Sequence, residues 1–388
     1  MSTTTATTPH TPWARVVVLG VAAAAIVGII LLAFTWPGMN SSAKNIPLAV
    51  TGPASQVQTV TKALDQRAGD TFDITTVDSR QEAVDRIKTR DAFGAIVLGK
   101  KPEVLAAGAN GAAVTQIMKG VSQQLQGQLA QAAAKQQSAQ AHAPAAGGGN
   151  GLASESAGTG GAPEAGRQAP QVAFTDVVPL LDADPKGAGL ALASFPLAMG
   201  GMLGGILVSL LVAGNRRRIT ALVVFATLAG GIIAVVMQGM YGVLAGNALL
   251  NVLAAGLAVL GTSSLIVGLN ALIGTLGIPV GAVLTMLIAN PLSGARAPWQ
   301  FLPEPWGAVG QWFVPGASST LLKDLSYFPD ANTTFAWLVL AGWAVLGVVF
   351  TLVGHFRNQE VVHTEDNTHA GAATRDEPTT VGSGKHRA

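Results

Sequence analysis

Long apolar stretches in the second half of the chain predict several membrane-spanning helices. Residues 187–215 and 219–295 contain no charged side chain. About 20 apolar residues in a helix cross the hydrocarbon core of a bilayer, so the second stretch must hold more than one crossing. Glycine-containing breaks near residue 246 and at 274–281 divide it. The predicted spans are residues 188–214, 220–245, 249–271, 275–291 and 334–354.

A further apolar run near the N-terminus predicts the first span, at residues 13–36. Its core, residues 16–36, would form a helix of roughly 30 Å. The alternative is a cleaved signal peptide, since Arg15 precedes the run and small residues follow at 41–43. The apolar region of a signal peptide usually has about 7–15 residues, so we favour an uncleaved anchor behind a short stub, residues 1–12.

The segment between the first two spans, residues 37–187, is polar enough to lie outside the bilayer and predicts a small α/β domain. Segments rich in β-formers alternate with helical segments, and Ser79 lies three residues before Glu82, the spacing of a capping box. Such alternation favours a layered sheet with crossover connections. The predicted strands are residues 46–51, 72–77, 93–98 and 172–181.

The later part of this domain predicts one long helix and a linker. Residues 111–135 carry an apolar stripe at helical spacing, which would pack on the sheet or on a second subunit. Residues 136–170 are rich in Ala, Gly, Ser, Gln and Pro without periodicity, a composition typical of a flexible linker.

The distribution of basic residues predicts the orientation in the membrane. Arg216, Arg217 and Arg218 fill the turn between the second and third predicted spans, which places that turn in the cytoplasm. Alternation then places residues 37–187 and the Pro-, Gly- and Trp-rich segment 292–333 outside, the latter as a re-entrant or interfacial segment. The N-terminus and a disordered tail, residues 355–388, lie inside. We therefore predict a polytopic α-helical protein of the plasma membrane, with about six transmembrane helices and an inserted extracytoplasmic α/β domain.

Composition narrows the function classes. The chain is 49% apolar and only 11% charged, against about a quarter in soluble domains. Its net charge of +2 suggests no nucleic-acid partner, and the absence of cysteine excludes thiolate metal sites. The second to fifth predicted spans carry no Asp, Glu, Lys, Arg or His, which disfavours a proton- or sodium-coupled carrier. We see no catalytic set and expect no enzyme, cofactor or metal; residues 94–100 match P-loop spacing, but Lys101 replaces the required Ser or Thr.

Three groups of residues stand out as candidate contacts. Gly200, Gly201, Gly204 and Gly205 give two overlapping GxxxG spacings, which favour close helix packing within or between subunits. The arginine triplet serves as a topology anchor that contacts anionic lipid, or as a contact for a cytoplasmic partner. Glu304 and Asp324, in the segment before the last span, are expected to be solvated, with gating of a path as the alternative.

The layout resembles that of the ABC-2 type permeases and, more narrowly, their phage-infection-protein (YhgE/Pip-like) branch with its actinobacterial relatives. The pattern lies in residues 48–50, 77–83 and 93–98, and in Pro305, Trp306, Gln311, Pro315 and Gly316 before the last span. The resemblance implies a homodimeric or heterodimeric permease-like subunit that exports a hydrophobic or amphiphilic molecule with energy from a separate ATPase. It makes Arg216, Arg217 and Arg218 the ATPase-contact turn and the Pro305–Gly316 residues an extracytoplasmic gate segment. The stub lacks the amphipathic helix common in such permeases, and the turn is short.

A second class of function stays open from the sequence. A non-transporting envelope protein, such as a surface receptor or a secretion-system scaffold, would bind a partner through its extracytoplasmic domain. ATP-linked flux would distinguish a permease from such a scaffold.

Overall fold

The computed structural model describes residues 13–141 and 171–373, and most of these residues are helical. Four helical stretches in this part are long and apolar enough to cross a membrane, as expected of a membrane protein. The N-terminal helix α1 (Trp13–Met39) contributes a shorter apolar stretch, Ala24–Met39. The count of about six spans and their orientation stay predictions. The four long stretches are Gly189–Leu211, Asn215–Met240, Ala248–Ala289 and Thr334–Gly354.

A mixed five-stranded sheet follows α1. Its strands are β1 (Ile46–Thr51), β2 (Phe72–Thr76), β3 (Gly94–Val97), β4 (Glu103–Ala106) and β5 (Ala173–Asp176). Their spatial order is β2-β1-β3-β4-β5, with β1 parallel to β2 and β3, β4 antiparallel to β3, and β5 parallel to β4. Helices α2 (Ala54–Ala68) and α3 (Arg80–Lys88) form the two crossovers, as the alternating pattern predicted.

Alternate residues of the central strands face two separate apolar layers, because side chains along a strand point to opposite faces. Leu48 packs in the layer that contains Met118 of the long helix α4 (Ala112–Ala141). The apolar stripe of α4 therefore packs on the sheet. Ala49 packs in the other layer, which also contains Phe328 from the segment before the last helix. This second layer joins the α/β domain to the membrane part of the chain.

Several details of the α/β domain differ from the prediction. Strand β4 was not predicted, because it is only four residues long. The capping box forms in part: the Ser79 hydroxyl accepts the N–H of Glu82, while the Glu82 carboxylate accepts the N–H of Asp78. Helix α4 continues to Ala141, so residues 136–141 are helical where a linker was predicted. The rest of the predicted linker, 142–170, and the stub 1–12 lie outside the described residues.

The helical part is organised around one buried helix, α7 (Ala248–Ile273). Helices α5 (Gly189–Leu211) and α6 (Asn215–Ala234) both pack on it, and α6 continues as a π-helical turn, Val235–Met240. Glycines allow the close approach: a Cβ built on Gly230 of α6 would lie 2.8 Å from the backbone nitrogen of Gly256.

The chain reverses direction after α7. Gly274 adopts a φ of +72°, a conformation that favours glycine. Helix α8 (Gly277–Val283) then runs back along α7, so that a Cβ on Gly281 would lie 2.9 Å from the Ile266 side chain. A second π-helical turn, Leu284–Ala289, extends α8. The predicted span 275–291 thus corresponds to a returning helix of roughly 20 Å, shorter than the hydrocarbon core.

The segment that precedes the last helix is folded and largely buried. It contains two helices, α9 (Trp306–Gly310) and α10 (Val314–Tyr327), and α10 packs against α5, α7 and the last helix, α11 (Thr334–Ala373). Helix α11 continues well past the apolar stretch that ends at Gly354, so residues 355–373 are helical where a disordered tail was predicted. The remaining tail lies outside the described residues.

Candidate functional site

A cavity of about 510 Å³ lies between α5 and α6, within the range of sites that hold small molecules. Its side walls are residues 190–200 of α5 and 225–237 of α6 with its π-helical turn, and Val259 of α7 lines it as well. Most of these side chains are apolar, among them Leu197, Ile233 and Met237. The cavity therefore suits a hydrophobic chain.

The shape of the cavity follows from where α5 and α6 touch. Gly204 of α5 packs directly against the ring of Phe225 of α6, and the lining residues of α5 all lie on the N-terminal side of this contact. Nothing lies within 4 Å of a Cβ built on Gly200, which lines the cavity. Ile232 of α6 and Pro196 of α5 also line it, and both are exposed, Ile232 to 64%. The cavity is therefore reachable from the side, between the two helices.

One end of the cavity is basic. Arg90, from the turn after α3, and Lys323, from α10, both line it, together with Ser318, Ser319 and Thr320 one turn earlier on α10. Lys323 is half-buried, and within residues 13–141 and 171–373 its ammonium group forms no hydrogen bond or ion pair. Burial, and secondarily the Arg90 guanidinium, lower the pKa of Lys323 to about 8, while Asp324 opposes this.

Arg90 is held by a set of buried partners. Its guanidinium forms an ion pair with the Asp324 carboxylate at 2.5 Å and donates to the Asn110 side-chain oxygen at 3.2 Å. It also lies over the Phe328 ring, 5.5 Å from the centroid. Only 11% of the Arg90 side chain and 6% of the Asp324 side chain are exposed. The expectation that Asp324 is solvated was therefore wrong: packing of α10 against the α/β domain buries it.

The charges at this end of the cavity do not cancel. Burial raises the pKa of Asp324, and the neighbouring Arg90 opposes that rise and stabilises the carboxylate. With Asp324 ionised, Arg90 and Asp324 neutralise each other, which leaves Lys323 as one uncompensated positive charge.

The predicted gate residues lie beside the cavity, and none of the five lines it. Gln311 is buried, donates to the Ser293 carbonyl at 3.2 Å and accepts from the Thr320 hydroxyl at 2.7 Å. It thereby ties the loop after α8 to α10 at the basic end. Trp306 contacts Trp36 of α1 edge to face, with centroids 6.5 Å apart.

Of the other three gate residues, Pro305 immediately precedes α9, and the remaining two start α10. Pro315 stands in the first turn of α10, and Gly316 packs against the Gly310 carbonyl of α9.

The arginine triplet divides into two kinds of residue. Arg218 donates to the carbonyl oxygens of Val212 at 2.8 Å and Ser209 at 3.0 Å, so it caps the C-terminus of α5. Arg216 and Arg217 are exposed. Only these two present free guanidinium groups at the turn.

Three of the four predicted packing glycines contact helices of the same chain. A Cβ on Gly201 would lie 2.9 Å from the Thr262 side chain of α7, and one on Gly205 would lie 2.9 Å from the Ser263 carbonyl oxygen. Gly204 packs against Phe225, as described above. Gly200 has open space beside it and belongs to the cavity wall.

The residues at the basic end of the cavity were not predicted from the sequence as a site. Lys323 and Asp324 are the only charged residues between positions 305 and 329, and adjacent charges in an apolar helix are a usable signal of a buried polar site. Arg90 offered no such signal, since it lies 234 positions from its partner Asp324.

Comparison with known proteins adds no identification. No protein-family model, no curated protein and no solved structure matches this chain. The class that the structure itself defines is a mostly helical membrane protein, with four candidate membrane-spanning stretches within residues 13–141 and 171–373.

Proposed function

We propose that this chain is a permease-like membrane subunit that exports a hydrophobic or amphiphilic molecule with energy from a separate ATPase, as a homodimer or heterodimer. The observation that carries the proposal is the apolar cavity between α5 and α6, whose lining includes the exposed Ile232. Within the described residues, no group of three or more acidic or histidine side chains is placed to hold a metal ion.

The contact with the ATPase is assigned by this proposal to Arg216 and Arg217. Both are exposed, whereas Arg218 is engaged in capping α5. We expect the double variant Arg216→Ala/Arg217→Ala to insert normally and to lose a co-purified nucleotide-binding protein. Thr220→Ala, on the same exposed turn, is the control and should retain that protein.

Efflux of a fluorescent amphiphile from cells tests whether the cavity is the transport site. Ala229→Trp places an indole inside the cavity and should abolish energy-dependent efflux. Leu228→Trp, at a neighbouring exposed position of α6 outside the cavity lining, should leave it unchanged. Equal efflux in the two variants would contradict the assignment. Binding of a protein partner to the α/β domain without any ATP-linked efflux would favour the envelope-scaffold alternative.

Six crossings with both termini in the cytoplasm belong to the same proposal. The chain has no cysteine, so single introduced cysteines report their side of the membrane cleanly. Gln66→Cys on α2 should react with a membrane-impermeant maleimide in intact cells. Arg216→Cys should react only after permeabilisation; the opposite pattern would reverse the orientation.

A further inference from the structure

We propose that the α5–α6 cavity binds an anionic lipid drawn from the bilayer, with an acyl chain between the helices and the head group on the Lys323 ammonium. That this lipid is the exported molecule rests on the proposed function. That the lipid binds here rests on the cavity alone.

The walls of the cavity define the apolar part of the ligand. Between Gly200 and Leu190 on α5, and between Phe225 and Met237 on α6, the lining is hydrocarbon except for Ser194. A polar ligand would lose its hydrogen bonds to water there without replacement. An acyl chain loses none, and it adds dispersion contacts along both helices.

The lateral opening defines where the ligand comes from. Pro196 of α5 and Ile232 of α6 both line the cavity and are both exposed, so the cavity is not closed off between the two helices. These two helices are among the stretches apolar enough to lie in a membrane. A molecule that enters between them comes from the lipid phase.

The basic end defines the head group. Asp324 already neutralises Arg90, whereas Lys323 has no ion-pair or hydrogen-bond partner in the described ranges. A half-buried cation without a counter-charge is costly, and an anionic ligand removes that cost.

The neighbouring hydroxyl groups already donate within the protein, so Lys323 is the group that remains to contact the head group. The hydroxyl of Ser318 donates to Pro315, that of Ser319 donates to Gly316 and Ser293, and that of Thr320 donates to Gln311. Their protons are therefore already used within the protein. The ammonium group remains to donate to a phosphate or carboxylate.

The test uses two lipids with identical acyl chains, phosphatidylglycerol and phosphatidylcholine, offered in equal amounts to the purified full-length protein. Native mass spectrometry then measures which lipid stays bound. We expect the wild-type protein to prefer the anionic lipid by about tenfold, the contribution of one charge-assisted contact. Lys323→Met should reduce that preference to less than about twofold, and Lys323→Arg should restore it.

Two further variants make the outcome decisive. Lys186→Met removes an exposed lysine and should keep the full preference. Ala229→Trp should reduce binding of both lipids alike, because it fills the space of the chain. Equal retention of the two lipids by the wild type, or an unchanged preference in Lys323→Met, would overturn the inference.

The lipid test and the transport test fail independently. Binding needs neither nucleotide nor a second protein, so a selective lipid site without ATP-linked efflux would refute the proposed function and leave this inference standing. Efflux of an uncharged amphiphile with no anionic preference in binding would do the reverse.

Discussion

The buried ion pair between Arg90 and Asp324 offers the sharpest test of how the α/β domain is joined to the membrane helices. In Asp324→Asn the carboxylate is lost while the guanidinium stays almost completely buried, near the second cation Lys323. Breaking one side of a buried pair typically costs about 3–5 kcal/mol, because the remaining charge has no partner. At 2–4 °C per kcal/mol for a unit of 150–250 residues, the melting temperature should fall by roughly 6–20 °C.

The assay is thermal unfolding in mild detergent, with one matched control and one rescue. Glu304→Gln makes the same chemical change at an exposed carboxylate that accepts from Asn45, and should shift the melting temperature by no more than about 2 °C. Arg90→Met/Asp324→Leu removes both charges and should recover most of the loss. A shift in Asp324→Asn as small as in the control, or no recovery in the double variant, would show that the buried pair does not stabilise this joint.

Three further predictions concern single groups. The pKa of Lys323 is about 8 instead of its ordinary 10.5, so the preference for anionic lipid should fall between pH 7 and pH 9 in native mass spectrometry. Thermal stability should rise with pH above about 8, because the unfolded chain then binds more protons than the folded one. Lys323→Met should remove both trends. Arg218→Ala should lower the free energy of unfolding by about 1 kcal/mol, through loss of the α5 cap, and should lower the melting temperature accordingly. Arg216→Ala, at an exposed position, should change neither. The hydrogen bond from Arg80 lowers the pKa of Glu103, so this pair contributes stability that is fully present above the ordinary carboxyl pKa and is lost as pH falls through the lowered pKa of Glu103. Unfolding of Arg80→Ala should therefore depend less on pH between about 5 and 3.

Much of the local structure could be predicted because it depends on short-range patterns. Short segments rich in β-formers predicted β1, β2 and β3, and the spacing of Ser79 and Glu82 marked the start of α3. Helix α4 is longer than predicted, because its alanine- and glutamine-rich end has good helix propensity although it lacks an apolar stripe.

The candidate site could not be predicted, since it depends on contacts between distant segments. Gly201 and Gly204 indicated close packing, but only the structure shows that their neighbours are Thr262 and Phe225. From the sequence, Asp324 is indistinguishable from an ordinary surface carboxylate. It is buried only because the turn that carries Arg90 packs onto α10. The absence of charge in the second to fifth predicted spans was misleading as well, because Lys323 lines the cavity from outside those spans.

The most direct test of the central claim, that an amphiphile occupies the space between α5 and α6, is a crosslinking map. Phosphatidylglycerol with a photoactivatable acyl chain would be reconstituted with the full chain, irradiated, and the modified residues located by mass spectrometry. We expect adducts concentrated in residues 190–200 and 225–237, and their loss in Ala229→Trp. Adducts spread over the exposed faces of α1 and α11, unchanged in that variant, would contradict it.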